Sequence, residues 1–151
     1  MDGRRLALDL VRWGLPVDEL YLADSVASDP ELAGLREAAA TVFSLEDEVL
    51  AGLAPTRHPQ GVVAVTGRPR WRPWSPPDGV GLLLETVQDP GNLGAIFRCA
   101  AALGAHRVLL SPGCADPCHP AAVRASAGAV LRLPTTAEVA APEVVAAVRR
   151  A

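Results

Sequence analysis

Asp89-Pro90-Gly91-Asn92, with Arg98 six positions beyond Asn92, is the segment of this chain whose residue types and spacing best suit chemistry. A guanidinium is a planar fork that grips phosphate and meets negative charge growing on an oxygen. Its pKa stays above about 12, so it is a poor general base. The plainer reading of the same residues is a Pro-Gly turn feeding an Asn helix cap, followed by a solvated surface arginine. A second segment, Arg124-Ala125-Ser126-Ala127-Gly128, offers a cation, a hydroxyl and a glycine that permits close backbone approach. The plainer reading there is a helix ending at a glycine cap. Glu85 fits a charge at a sheet edge better than a catalytic carboxylate. Cys114, Cys118 and His119 supply only three metal ligands without a second pair, so they are read as a loop and no metal is assigned.

These residues need elements to hold them. Residues 81–87 (GLLLETV) and 107–110 (RVLL) read as strands flanking a helix over 93–103, whose Leu93, Ile96, Phe97, Ala100 and Leu103 share one face. Asn92 is placed as the cap of that helix and Gly104 as its terminator. The unit is βαβ with a parallel sheet, and in such sheets ligands collect beyond the carboxyl ends of the strands, where the 89–92 loop lies. Arg98 falls about 140° round the helix from Leu93, off its apolar face. A helix over 119–127, a strand over 130–133 and a helix from 142 continue the alternation.

Earlier in the chain, Leu6, Leu10 and Trp13 mark a helix over 4–13 closed by Gly14. A strand over 19–23, a helix over 30–40 and a strand over 41–43 follow, and Ser44 with Asp47 reads as a capping box for a helix running to Leu53. Residues 62–65 are an apolar strand. Between the two α/β stretches lies GRPRWRPWSPPDG, whose four prolines forbid a helix or a central strand. The organisation is therefore residues 1–66, a linker over 67–79, and residues 80–151. In the linker, Arg68, Arg70 and Arg72 interleave with Trp71 and Trp74, a composition suited to single-stranded RNA or to a solvated hinge with docked tryptophans.

Composition narrows the classes. With 151 residues, half of them hydrophobic, the chain can bury a core; a net charge of −3 excludes a wholly basic nucleic-acid binder but not a local basic strip. No run approaches the roughly 18 apolar residues of a membrane span, and Arg4, Arg5, Asp9 and Arg12 rule out a secretory core near the start. The expected compartment is the cytoplasm, with its three cysteines reduced. The strand-to-helix turn lacks G-x-G-x-x-G and a P-loop is absent, which disfavours a dinucleotide or nucleotide site.

Val87 to Ala100, fourteen consecutive residues, resembles the first motif of the SpoU (TrmH-like) family within the SPOUT superfamily, a strand followed by D-P-x-N-x-G-x-x-x-R-x-A. Pro120 to Ala129 is similar to that family's R-A-S-x-G-A segment. Asp2-Gly3-Arg4-Arg5 and Pro59-Gln60-Gly61-Val62 look like the opening and closing stretches of its small RNA-binding domain. The resemblance implies an α/β fold: a small α/β RNA substrate-binding domain, then the amino-terminal part of a trefoil-knotted methyltransferase domain with a parallel sheet. It implies methyl transfer from S-adenosylmethionine to a ribose 2′-hydroxyl of rRNA or tRNA, by a homodimer. By position, Arg98 and Asn92 match catalytic residues, and Arg124, Ser126 and Gly128 match the substrate-binding segment.

The donor-binding segments of that family, a glycine-glutamate loop and an S-L-N stretch, have no match after Arg132, and the strand leading into its opening motif is replaced by Met1. The expectation is a chain shortened at both ends, with no donor-binding residue assigned and little or no activity alone. The alternative is a non-enzymatic RNA-binding module or inactive remnant, in which RNA binding survives loss of Arg98.

Overall fold

The computed structural model describes residues 3–54, 59–69 and 79–150, so most of the tryptophan and arginine linker lies outside the described residues. The chain divides into two compact units, Met1–Gly67 and Arg68–Ala151.

The first unit opens with helix α1 (Arg4–Arg12), whose Ala7 and Leu10 are buried. Strand β1 (Val17–Ala23) follows, then a 3-10 turn (Pro30–Leu32), α2 (Ala33–Ala38), β2 (Ala39–Leu45), α3 (Asp47–Leu53) and β3 (Val62–Val65). The sheet order is β2-β1-β3, with β2 parallel and β3 antiparallel to the central β1. Leu20 and Leu22 of β1 are buried with Leu10, Leu32, Leu35 and Val62. Two local expectations are corrected here. The helix over 30–40 is cut short because Ala39 and Ala40 belong to β2, Ala39 pairing with Val17, so ladder formation overrides alanine's helical preference. Ser44 caps nothing: it sits in β2 and its hydroxyl donates to Asp24 Oδ1 at 2.5 Å, while Asp47 Oδ1 accepts from the Ser25 amide at 3.2 Å.

The second unit contains β4 (Gly81–Leu84), α4 (Pro90–Ala102), β5 (Arg107–Leu110), α5 (Pro120–Ala125), α6 (Ala129–Arg132), β6 (Thr135–Thr136) and α7 (Ala141–Arg150). Its sheet is parallel throughout, in the order β4-β5-β6, with Leu84 opposite Leu110 at the carboxyl ends. Leu93 and Phe97 of α4 are buried, as are Val108 and Leu110 of β5 and Val130 of α6. Three expectations change. Strand β4 stops at Leu84, because Thr86 has φ 51 and takes the backbone out of the extended region. The run 130–133 is a helical turn between left-handed Gly128 and Pro134, not a strand; a short apolar run does not distinguish the two. The cap of α4 is Asp89 rather than Asn92, with Pro90 in the first turn.

Candidate active-site edge and family membership

The chain leaves β4 at the carboxyl edge of the sheet and is fixed there by a short network. Thr86 N–H donates to Ser111 Oγ at 3.1 Å, Ser111 N–H returns to the Leu84 carbonyl at 2.9 Å, and Ala115 N–H reaches the Val87 carbonyl at 2.8 Å. A β-branched residue at positive φ is unfavourable, so this buried serine secures a strained corner. Two residues past Val87, Asp89 Oδ1 accepts from the Asn92 amide at 2.6 Å and opens α4. Asn92 therefore stands inside the first turn with its side chain exposed.

Arg98 lies six residues further on, about 9 Å along the axis and about 120° round it from Asn92. Its side chain is exposed, with no hydrogen bond or ion pair among the described residues. The two matched residues share one helix but not one face.

Helix α5 packs directly on α4, and Gly94 makes the approach possible. A Cβ at Gly94 would lie 2.4 Å from the Ala122 carbonyl oxygen and 2.8 Å from the Ala125 Cβ. This contact brings the 124–128 segment to α4. Arg124 is exposed. Ser126 is 1% exposed and its hydroxyl donates to the Val123 carbonyl at 2.9 Å, so its side chain shapes the turn. Gly128 is buried at φ 80 and starts α6. Glu85 is exposed beyond the end of β4.

The SpoU rRNA methylase family model matches residues 79–151, the stretch that carries this edge. These residues belong to the SpoU rRNA methylase family. Among curated relatives it is 47% identical over 93 residues to an uncharacterized tRNA/rRNA methyltransferase of Synechocystis, covering 61% of this chain and 34% of that protein. It is 36% identical over 143 residues to the mitochondrial rRNA methyltransferase 3A of Danio rerio, covering 89% of this chain and 32% of that one. Of solved structures, the SpoU methyltransferase AviRb from Streptomyces viridochromogenes, in complex with AdoMet, superposes with a TM-score of 0.82 at 29% identity over 99% of this chain and 58% of its own. An AdoMet-bound rRNA methyltransferase from Sinorhizobium meliloti gives 0.79 at 26%, covering 100% of this chain and 57% of its own. The chain thus spans about a third of these curated relatives and under three fifths of the solved ones.

The buried polar atoms of this SpoU-family stretch bear on whether it holds a donor pocket. Ser111, Ser126 and Thr135 are the buried polar side chains among the described residues. Ser111 Oγ accepts from Thr86 and donates to the Pro112 carbonyl at 3.1 Å, and Thr135 donates to the Leu133 carbonyl at 2.8 Å. With Ser126 turned to Val123, all three are satisfied within their own unit, and none marks a donor-binding residue.

Residue patterns had not singled out Gly94, Thr86 or Ser111 as supports of the edge. Gly94 falls on a glycine of the family motif, which is a sequence signal; a strained threonine and its serine leave none. The Cys114, Cys118 and His119 loop is held otherwise. His119 Nδ1 accepts from the Ala121 amide at 3.2 Å, and Cys114 Sγ donates to the Leu84 carbonyl at 3.5 Å. Burial, then the charge of Asp116, pushes the Cys118 thiol up. In the linker, Arg68 donates to Asp116 at 2.7 Å, while Arg70, Trp71, Arg72 and Trp74 fall outside the described residues.

Proposed function

We propose that this chain belongs to an enzyme of the SpoU type that transfers a methyl group from S-adenosylmethionine to a ribose 2′-hydroxyl of rRNA or tRNA. The observation that carries the reading is the Asp89-capped helix leaving the carboxyl edge of a parallel sheet with Arg98 free and exposed, inside the residues that match the family. Arg98 would hold an RNA phosphate or meet the negative charge growing on the 2′-oxygen, where a charge-assisted hydrogen bond is strongest. Asn92 would contact substrate from the first turn of the same helix, and Arg124 from α5. Ser126 and Gly128 would set the turn that presents Arg124. The proton acceptor is not assigned to Arg98. No donor-binding residue is assigned, and no step is routed through the donor.

The enzyme is read as a cytoplasmic homodimer. Relatives with mitochondrial names make fractionation the deciding observation for the compartment, and sedimentation decides the assembly. No helix among the described residues is long and apolar enough to cross a membrane.

The test is transfer of tritiated methyl from S-adenosylmethionine to bulk RNA by the 151-residue chain and by Arg98→Ala. Transfer that falls 100-fold or more in the variant, on the order of the loss of one preorganised donor, supports the reading. Transfer indifferent to Arg98 removes it from the site. The satisfied buried polar atoms favour a second reading, a non-enzymatic RNA-binding module, in which the chain transfers nothing yet binds RNA as well after Arg98→Ala as before.

A further inference from the structure

Strand β2 is the outer strand of the first unit's sheet, and among the described residues no strand pairs with its far side. One bond fixes which backbone groups face that way. The Leu45 carbonyl accepts from the Asp24 N–H, at the end of the central β1, at 2.9 Å. The N–H and C=O of one strand residue point to the same side and successive residues alternate, so Ala39, Thr41, Phe43 and Leu45 face β1. Ala40, Val42 and Ser44 therefore turn their donors and acceptors outward.

A free edge is ordinarily blunted by charge, proline, a bulge or brevity. Residues 39–45 have none of these: AATVFSL is seven residues long, uncharged and without proline. Its pairing with β1 keeps one offset throughout, so the strand carries no bulge. The side chains are open on both faces as well. Val42 is 42% exposed on one face and Phe43 40% on the other, where its ring stacks on Tyr21 with centroids 4.9 Å apart. An added strand would find a ladder of backbone partners and an apolar contact on each face.

Charge selects the occupant. Residues Met1–Gly67 hold eleven Asp and Glu against five Arg, the reverse of the balance in the rest of the chain. Two of those arginines are spent inside the unit, Arg4 on Asp29 and Glu31, and Arg36 on the Ala27 and Asp29 carbonyls. Exposed carboxylates stand at both ends of β2, Glu37 before it and Asp24, Glu46 and Glu48 after it, without an ion pair among the described residues. A second copy of the chain would bring acidic ends together, and a phosphate backbone would be repelled. A polypeptide with basic residues flanking a short uncharged run meets the edge and both of its ends. We propose that the free edge of β2 takes up such a basic, extended segment of a partner protein as a fourth strand of the sheet. This goes beyond the methyl-transfer reading and does not depend on it.

The test is fluorescence anisotropy of a labelled synthetic peptide, alternating valine and threonine with two arginines at each end, titrated with the full chain. Saturable binding that weakens as salt is raised is expected. Val42→Pro removes an outward N–H and leaves the β1 ladder intact, because proline is tolerated on the open side of an edge strand, and it should weaken binding by about tenfold or more. Glu37→Gln/Glu46→Gln/Glu48→Gln should lower the affinity and flatten the salt dependence. The same peptide methylated on its central amide nitrogens keeps every charge and side chain but donates no ladder bond, so it should fail to bind the wild-type chain, a loss that no folding defect can mimic. A parent peptide that does not bind, or a methylated one that binds as well, overturns the proposal. Sedimentation in which the chain self-associates and Val42→Pro returns it to a monomer would assign the edge to a second copy and overturn it too.

Discussion

Asp29 gathers two donors on one carboxylate: Oδ1 accepts from the Glu31 amide at 2.9 Å and Oδ2 from the Arg4 guanidinium at 2.6 Å. The amide first, and then Arg4, hold its carboxyl below the usual range, against a smaller opposing effect of burial. A carboxylate with a depressed native pKa stabilises the fold above its unfolded value, near 3.9, and loses that contribution as pH falls through the native value. Acidification below about pH 4 is therefore expected to lower the wild-type urea midpoint more than that of Asp29→Asn. Asparagine keeps the capping geometry but cannot titrate. Equal losses for the two proteins between pH 7 and pH 3 would remove Asp29 from the acid response.

At the scale of elements, three helices end in the same hydrogen-bond pattern but with different residues. Helix α1 closes with Leu15 N–H to the Leu10 carbonyl and Gly14 N–H to that of Val11, Gly14 at φ 65; α4 closes likewise through Gly104 at φ 76. In α5, Gly128 N–H bonds the Val123 carbonyl and Ala127 N–H that of Arg124, but the left-handed residue is Ala127 at φ 49. Ala127→Gly is expected to raise stability by about 0.5–1 kcal/mol, the left-handed penalty relieved less the added entropy of an unfolded glycine. A thermal midpoint at or below wild type would count against strain at that cap. The contrast also shows what periodicity reads well. Gly14 and Gly104 are legible as terminators because glycine stands where the apolar spacing stops, and the 107–110 strand and the crossover helix follow from their patterns. The α5 cap is hidden, because alanine carries no turn signal. The helix at 129–132 looks like a strand because four residues give too little period, and β4 ends early for a reason that lies in Thr86 and a serine 25 positions away. At the site, residue types located the 89–98 segment and the six-residue spacing already sets Asn92 and Arg98 on different faces of a helix, while the inward turn of Ser126 depends on packing that spacing does not encode.

Across the whole molecule, each unit buries its own apolar residues, Leu10, Leu20, Leu22 and Leu50 in the first and Leu93, Phe97, Val108 and Leu110 in the second. A lesion in one core should then be felt where it is made. Gly94→Ala is the sharpest available, because the atoms a new methyl would meet at 2.4 Å and 2.8 Å are the Ala122 carbonyl oxygen and the Ala125 Cβ, neither of which can rotate away. Alanine improves the helix by about 1 kcal/mol, whereas overpacking costs about 1–3 kcal/mol, and with a backbone atom in the way the second effect wins. The expected net loss is up to about 2 kcal/mol, confined to the second unit. Hydrogen exchange followed by mass spectrometry should show faster exchange in α4, α5 and the β4-β5 pair, with α1 and β1 as slow as in wild type. Exchange that accelerates equally in both units would mean that they unfold as one, and the assignment of two separate cores would fall.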